Sequence, residues 1–287
     1  MPGTFSDSWK LTKTSFRLIA EDRALLVFPL VAGLSILGVL VVLLLGEFWL
    51  VLPGVSGGGS AQTPSLALGL VLFLAAYFGM AFISVYATGA LIGASTLKLD
   101  GHQPTAADGW RIARAHLRRL ALWAVLTATV GLAIQAISRR VGGVGGLLIS
   151  VAGGASWAVA TYFMVPVILY ENEGAWRGLR RSGHLFVANF GRSLVSNLAV
   201  GLIVGAGIVG AVVLGVVGLV EVARGAGLLG FVLLGLGIAL GVVVALLGAA
   251  AEGVLRAALY RYATTGKIDE GLLPSGYAGG PAPARLP

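Results

Sequence analysis

Six stretches of the chain carry no Asp, Glu, Lys or Arg: 24–46, 65–97, 120–138, 141–170, 193–220 and 225–251. Each meets the roughly 17–25 residues that a helix needs to cross a bilayer core. Their apolar positions run continuously and do not alternate, which excludes the short alternating strands of a membrane β-barrel. A helix satisfies its own backbone in hydrocarbon, so the pattern predicts six transmembrane helices. The first stretch is 23 residues long. That exceeds the about 7–15 residues of a signal-peptide core, and no small-residue cleavage site follows, so it reads as a retained span.

Three of the polar segments between the runs share a pattern. Thr4, Asp7, Trp9 and Lys10 precede the first pair of spans, Thr105, Asp108, Trp110 and Arg111 the second, and Glu171, Trp176 and Arg177 the third. Each Trp is followed six positions on by Ser15, His116 or Ser182, and eight positions on by Arg17, Arg118 or His184. Thr4 with Asp7, and Thr105 with Asp108, fit a helix-start signature. In the third copy Glu171 or Asn172 would take that role. Apolar residues follow at helical spacing: Phe5, Trp9, Phe16 and Ile19; then Trp110, Ala113, Leu117 and Leu120; then Trp176, Leu179, Gly183, Phe186 and Phe190. Bases take another face, as Arg111, Arg114 and Arg118, or Arg177, Arg180 and Arg181. Such segments lie as short amphipathic helices in the headgroup region, with Trp at the interface.

The expected fold is therefore an all-α integral membrane protein with six transmembrane helices. They form three hairpins, each preceded by a cytoplasmic-side amphipathic interfacial helix. One membrane domain covers 1–263, with pseudo-repeats over about 4–97, 105–170 and 171–263. Residues 264–287, with Pro274, Gly279, Gly280, Pro281 and Pro283, read as a disordered tail. Residues 53–64 read as a Gly/Ser/Pro linker.

Composition sharpens this picture. Of 287 residues, 57% are hydrophobic and 11% charged, against about 25% charged in soluble domains. The mean hydropathy is +0.93. A cytosolic enzyme and a nucleic-acid binder are excluded on these grounds. The net charge of +8 has a topological meaning. Segments 1–23, 98–119, 171–192 and 252–287 hold seventeen Lys and Arg, whereas 47–64, 139–140 and 221–224 hold three. By the positive-inside rule both termini face the cytoplasm, in an inner (plasma) membrane. The chain has no cysteine, so disulfides and thiolate ligands are excluded. Its 44 glycines are spread through the apolar runs. The pairs Gly89/Gly93, Gly201/Gly205 and Gly237/Gly241 have the spacing of close helix contact, within one bundle or against a second copy.

Residues Asp7 to Lys10, Ser15 to Arg17, Asp22, Arg23 and Phe28 to Leu30 resemble the start of the domain-of-unknown-function 6159 family of prokaryotic membrane proteins. Trp157, Val165 to Val167, Glu171, Gly174, Arg181 and Ser182 resemble its middle, and Ala258 to Gly266 its end. The resemblance implies six spans in a prokaryotic inner membrane and brings no activity, cofactor or substrate. The Glu171…Ser182 segment is also similar to membrane domains found beside glycerophosphodiester phosphodiesterases, although no phosphodiesterase domain is present here.

The chemistry is sparse. His102, His116 and His184 have no metal-ligand spacing, and no nucleophile–base or phosphate-loop motif occurs. No catalytic residue, metal or cofactor is expected, and the protein is read as a non-enzyme. The charge-free runs leave Gln135 and Asn197, with Thr88, Thr127, Thr129, Thr161 and Tyr162, as the most polar intramembrane groups. Their ordinary role is interhelical hydrogen bonding. Pro29 and Pro166 are expected to kink their spans. Glu171, Glu173 and Ser182 are candidates for a cap or gate. Trp9, Lys10, Arg17, Trp110, Arg111, Arg114, Arg118, Trp176, Arg177, Arg180 and Arg181 are the expected contacts to anionic lipid or a partner protein. The expected function is an accessory or scaffold acting through this basic face, with a small-molecule or lipid transporter or channel as the alternative.

Overall fold

The computed structural model describes residues 24–56, 62–171, 173–188 and 190–265. Among them are nine helices and no strand. In chain order they are α1 (Ala24–Ser56), α2 (Gln62–Leu99), α3 (Ala106–Ala115), α4 (Leu117–Val141), α5 (Gly143–Thr161), α6 (Met164–Tyr170), α7 (Ala175–Ala188), α8 (Phe190–Ala223) and α9 (Gly227–Thr265). Six helical stretches, in α1, α2, α4, α5 with α6, α8 and α9, are long and apolar enough to cross a membrane. Each overlaps one of the charge-free runs, and several extend past it, as at Arg139, Arg140, Glu252 and Arg256. Their surfaces present Leu44, Val71, Leu122, Val144 and Leu228, each more than half exposed. Soluble monomers rarely expose contiguous apolar patches beyond a few hundred Å²; a hydrocarbon-facing surface is made of them.

Several boundaries differ from the sequence reading. The expected first amphipathic helix, with Thr4, Asp7, Trp9, Lys10 and Arg17, lies outside the described residues. So does the tail beyond Thr265, while Thr264 and Thr265 still belong to α9. The linker is shorter than expected, because α1 runs to Ser56 and α2 starts at Gln62. Pro64 stands in the first turn of α2, where an N–H has no intrahelical acceptor to lose. The turn between the third and fourth spans falls at Gly142, past Arg139 and Arg140, which stay in α4. Gly142 has φ +64° and Gly143 φ +50°, a left-handed conformation that arginine resists. The Gly142 N–H closes the last turn of α4 onto the Ser138 carbonyl at 3.0 Å.

The prolines behave unequally. Pro29 sits within the unbroken α1. The fourth span breaks instead of kinking, and it breaks before Pro166: α5 ends at Thr161 and α6 begins at Met164. A proline ring clashes with the carbonyl four residues earlier and offers it no N–H. That carbonyl belongs to Tyr162, where the helix is interrupted.

The described residues form two compact units. One holds residues 24–29, Ala94–Ala106 and 184–265. Leu25 and Phe28, Ala94 and Leu99, and Val254 and Leu255 are buried in it. Its α8–α9 hairpin is closed by glycine. A Cβ on Gly237 would stand 2.7 Å from the Gly215 nitrogen and 2.8 Å from the Ala211 oxygen. At Gly207 and Gly248 the nearest atoms are instead the side chains of Val244 and Val204. The sequence pair Gly201/Gly205 is not part of this seam, since a Cβ on either would meet nothing within 4 Å.

The second unit holds Leu30–Gly93 and Ala107–Gly183. Ile92, Leu120, Phe163, Met164, Val167 and Ile168 are buried in it. Antiparallel α4 and α5 are joined by the stacked rings of Trp123 and Trp157, with centroids 5.9 Å apart. Trp157 Nε1–H donates to Thr127 Oγ1 at 3.0 Å, and the Tyr77 hydroxyl donates to the Ala128 carbonyl at 3.2 Å. Of the polar groups expected to bond between helices, Thr127 does so. Gln135 is exposed on α4, and the Asn197 side chain lies outside the described residues. A double-mutant cycle of Trp157→Phe with Thr127→Val, read by unfolding in mixed micelles, is expected to give a coupling of about 0.6 kcal/mol.

Candidate functional site

The polar groups with the most developed environment gather where α7 meets the broken fourth span. Pro166 favours the break, because it offers the Tyr162 carbonyl no N–H. The chain turns at Phe163, with φ −96° and ψ 9°, and its N–H leaves the helical ladder. Ser182 receives it: the Phe163 N–H donates to Ser182 Oγ at 3.0 Å. Ser182, Phe163 and Met164 are each 0% exposed. A buried N–H without an acceptor costs about 1–3 kcal/mol, so this bond is worth keeping.

Two further contacts fasten α7 to α6. A Cβ on Gly178 would lie 2.8 Å from Met164 Cε, so the glycine admits the Met164 side chain. Arg181 Nε donates to Glu171 Oε2 at 3.0 Å and Oε1 at 3.2 Å. With side-chain exposures of 34% and 22%, this pair is less screened than the exposed pairs nearby. Positions 178, 181 and 182 fall on neighbouring turns of one face.

This geometry corrects the assigned roles. Glu171 does not start α7; it ends α6, its N–H donating to the Val167 carbonyl at 2.9 Å, and its carboxylate reaches Arg181. Gly174, whose carbonyl accepts from the Gly178 N–H at 2.7 Å, opens α7. Trp176 is not on the packed face: it is 72% exposed. The buried face runs through Gly178, Ser182, Leu185 and Phe186. Gly178 was not singled out in the sequence, although its four-residue spacing from Ser182 is the small-residue signal.

The other amphipathic helix, α3, is shorter than expected, because it ends at Ala115 and Leu117 begins α4. The helix is interrupted at His116, whose Nδ1 lies 3.1 Å from the Ile112 carbonyl oxygen. Arg118 therefore belongs to the first turn of α4. Ala113 of α3 is fully buried. The Trp110 ring lies 5.3 Å from that of Tyr86. A Cβ on Gly93 would lie 2.9 Å from Ile112 Cγ2, and one on Gly89 3.1 Å from Leu120 Cδ1. The pair Gly89/Gly93 is thus where α2 receives α3 and the start of α4.

The stack of Trp123 on Trp157 places the start of α4 and the end of α5 side by side. Hence α3, which leads into α4, and α7, which follows α6, flank the same end of this hairpin. That end is strongly cationic. Arg111 pairs with Asp108 at 2.8 Å and Arg177 with Glu173 at 3.1 Å. Both arginines are about four-fifths exposed, so each pair contributes at most about 1 kcal/mol. Arg114, Arg118 and Arg180 are exposed and have no acidic partner among the described residues.

In the other unit, Gly101 (φ +82°) ends α2, with the His102 N–H donating to the Leu97 carbonyl at 3.1 Å. This turn sets Asp100 against Arg261 Nη1 at 2.8 Å. One turn earlier on α9, Glu252 pairs with Arg256.

With six stretches long and apolar enough to cross a membrane, and only helices among the described residues, the chain is a multi-pass membrane protein. The chain belongs to the family of unknown function DUF6159, whose model matches residues 66–270. That match does not bear on the likeness to phosphodiesterase-associated membrane domains. No curated protein and no solved structure matches the chain significantly.

Proposed function

We propose that the protein is a non-catalytic membrane component whose cationic end contacts the headgroups of anionic lipids and serves as a platform for a partner. The observation that carries this reading is the exposure of Arg114, Arg118 and Arg180, without acidic partners among the described residues, at the end that also bears exposed Trp176. Trp and Arg side by side suit the interface, where the ring takes the headgroup level and the base meets phosphate. In this reading that end faces the cytoplasm.

Native mass spectrometry of the gently extracted protein, titrated with phosphatidylglycerol against phosphatidylcholine, tests the contact. The wild type is expected to retain phosphatidylglycerol preferentially. At about 1 kcal/mol per base, changing Arg114, Arg118 and Arg180 together to Gln is expected to weaken that preference by up to roughly 100-fold. An unchanged preference would sink the reading. The chain has no cysteine, so single cysteines test the orientation directly. Arg114→Cys is expected to react with a membrane-impermeant maleimide from the cytoplasmic side only, and Val144→Cys from the opposite side only.

A second reading, passage of a small molecule or lipid, draws support from the break at Tyr162–Phe163. Interrupted helices with free backbone groups are used as binding sites in transporters. Here the freed N–H is taken by Ser182 in a fully buried setting, so passage requires that contact to open. Substrate flux into liposomes dependent on the protein would establish it.

A further inference from the structure

The geometry points to α7 acting as a latch that holds the fourth span in its broken form, with a second, continuous form available when the latch lifts. The Phe163 N–H has two acceptors within reach of its chain, one in the broken form and one in a continuous helix. In the present arrangement it donates to Ser182 Oγ at 3.0 Å. In a continuous helix it would donate to the Val159 carbonyl, four residues earlier. That carbonyl now accepts from the Tyr162 N–H at 3.4 Å, a tighter i→i−3 bond. Either arrangement satisfies the N–H, so neither carries the cost of an unpaired buried donor. An element with two satisfied arrangements is what a switch requires.

The balance is set by the residues already described. Pro166 disfavours the continuous form, since it cannot donate to Tyr162 and crowds its carbonyl. Ser182 favours the broken form by supplying an acceptor. The Glu171–Arg181 bond and the seat of Met164 over Gly178 hold Ser182 in register. All of these groups lie in α5, α6 and the part of α7 within one compact unit. The outer side of α7 carries Trp176, Arg177 and Arg180, all exposed. Whatever engages that side pulls on the latch. The occupant assigned to it is the anionic lipid surface, and this part alone rests on the function proposed above.

The test uses the full chain, whose lack of cysteine allows two spin labels to be placed cleanly. Labels at Ala175→Cys on α7 and Leu147→Cys on α5, both exposed positions, report their separation by pulsed electron resonance in phosphatidylcholine nanodiscs. The wild type is expected to show one dominant separation. Ser182→Ala removes the acceptor, and a second separation is expected to appear. Pro166→Ala relieves the opposing clash and leaves the latch residues untouched, so it is expected to populate the same second separation. If both variants keep the wild-type distribution, the latch is overturned. Nanodiscs containing phosphatidylglycerol are expected to change the ratio of the two separations. If the variants respond but lipid charge has no effect, the latch is supported and the lipid reading of the preceding section fails.

Discussion

Leucine in place of Gly237 is expected to lower the thermal unfolding midpoint of the detergent-solubilised protein by about 6–12 °C, from a loss of about 3 kcal/mol. The reason is the identity of the neighbours. A Cβ at this position would meet the Gly215 nitrogen at 2.7 Å, the Ala211 oxygen at 2.8 Å and the Gly215 Cα at 3.0 Å. These are backbone atoms of α8, and a helix backbone cannot move aside as a side chain can. The two helices must separate along the seam. Gly235 is the control, two residues away on the same helix, where a Cβ would meet nothing within 4 Å. Gly235→Leu is expected to leave the midpoint nearly unchanged. If both variants melt together, the seam is not what holds the hairpin.

Truncation of Phe163 to Ala is expected to cost about 3–5 kcal/mol, the range for a fully buried aromatic residue. Phe163 is 0% exposed, and its ring lies edge-on to Tyr162 with centroids 4.7 Å apart. It sits at the break of the fourth span, where its backbone is also held by Ser182. Loss of the ring leaves a cavity in a buried segment, since Met164 and Val167 nearby in the chain are themselves fully buried. Leu147→Ala removes a large apolar side chain from a position 63% exposed and is expected to change stability by no more than about 0.5 kcal/mol. Equilibrium unfolding in mixed micelles checks both, and comparable losses for the two would place the core elsewhere.

The contrast between Gly237 and Gly201 illustrates how far the sequence can be read. Both belong to small-residue pairs with the same spacing, and nothing in the spacing distinguishes them. One faces a helix backbone across the seam and the other faces open surface. Spacing says which residues share a face of a helix; it does not say which face is covered. The same limit explains Trp110 and Trp176. They occupy matching positions in the repeated motif, yet Trp110 lies against Tyr86 while Trp176 is 72% exposed.

Gln135 and Thr127 show a related effect. Gln135 and Thr127 lie in one apolar run, and both are expected to bond between helices, Gln135 with the stronger hydrogen-bonding group. Of the two, the smaller Thr127 makes the bond, because the Trp157 indole on α5 is set opposite it, while Gln135 is exposed. Partner choice depends on the rotation of one helix against the next, which arises from the packing of all their side chains.

Membership of the class was legible from local chemistry alone. Apolar runs of bilayer length and the absence of charge within them determined that the chain crosses a membrane six times as helices. Pro166 marked the fourth span for a distortion, because the ring's clash with the carbonyl four residues earlier is built into the backbone; that it became a break, while Pro29 sits in an unbroken helix, was decided by tertiary structure. Tertiary structure decided what became of the freed N–H. Ser182 and Phe163 are nineteen positions apart, and no periodicity within either helix relates them. Glu171 could serve α7 as a cap or reach across to Arg181; the path of the chain between α6 and α7 chose the second. Short-range rules act on neighbours in the chain, whereas the use of a side chain follows from what folding brings beside it.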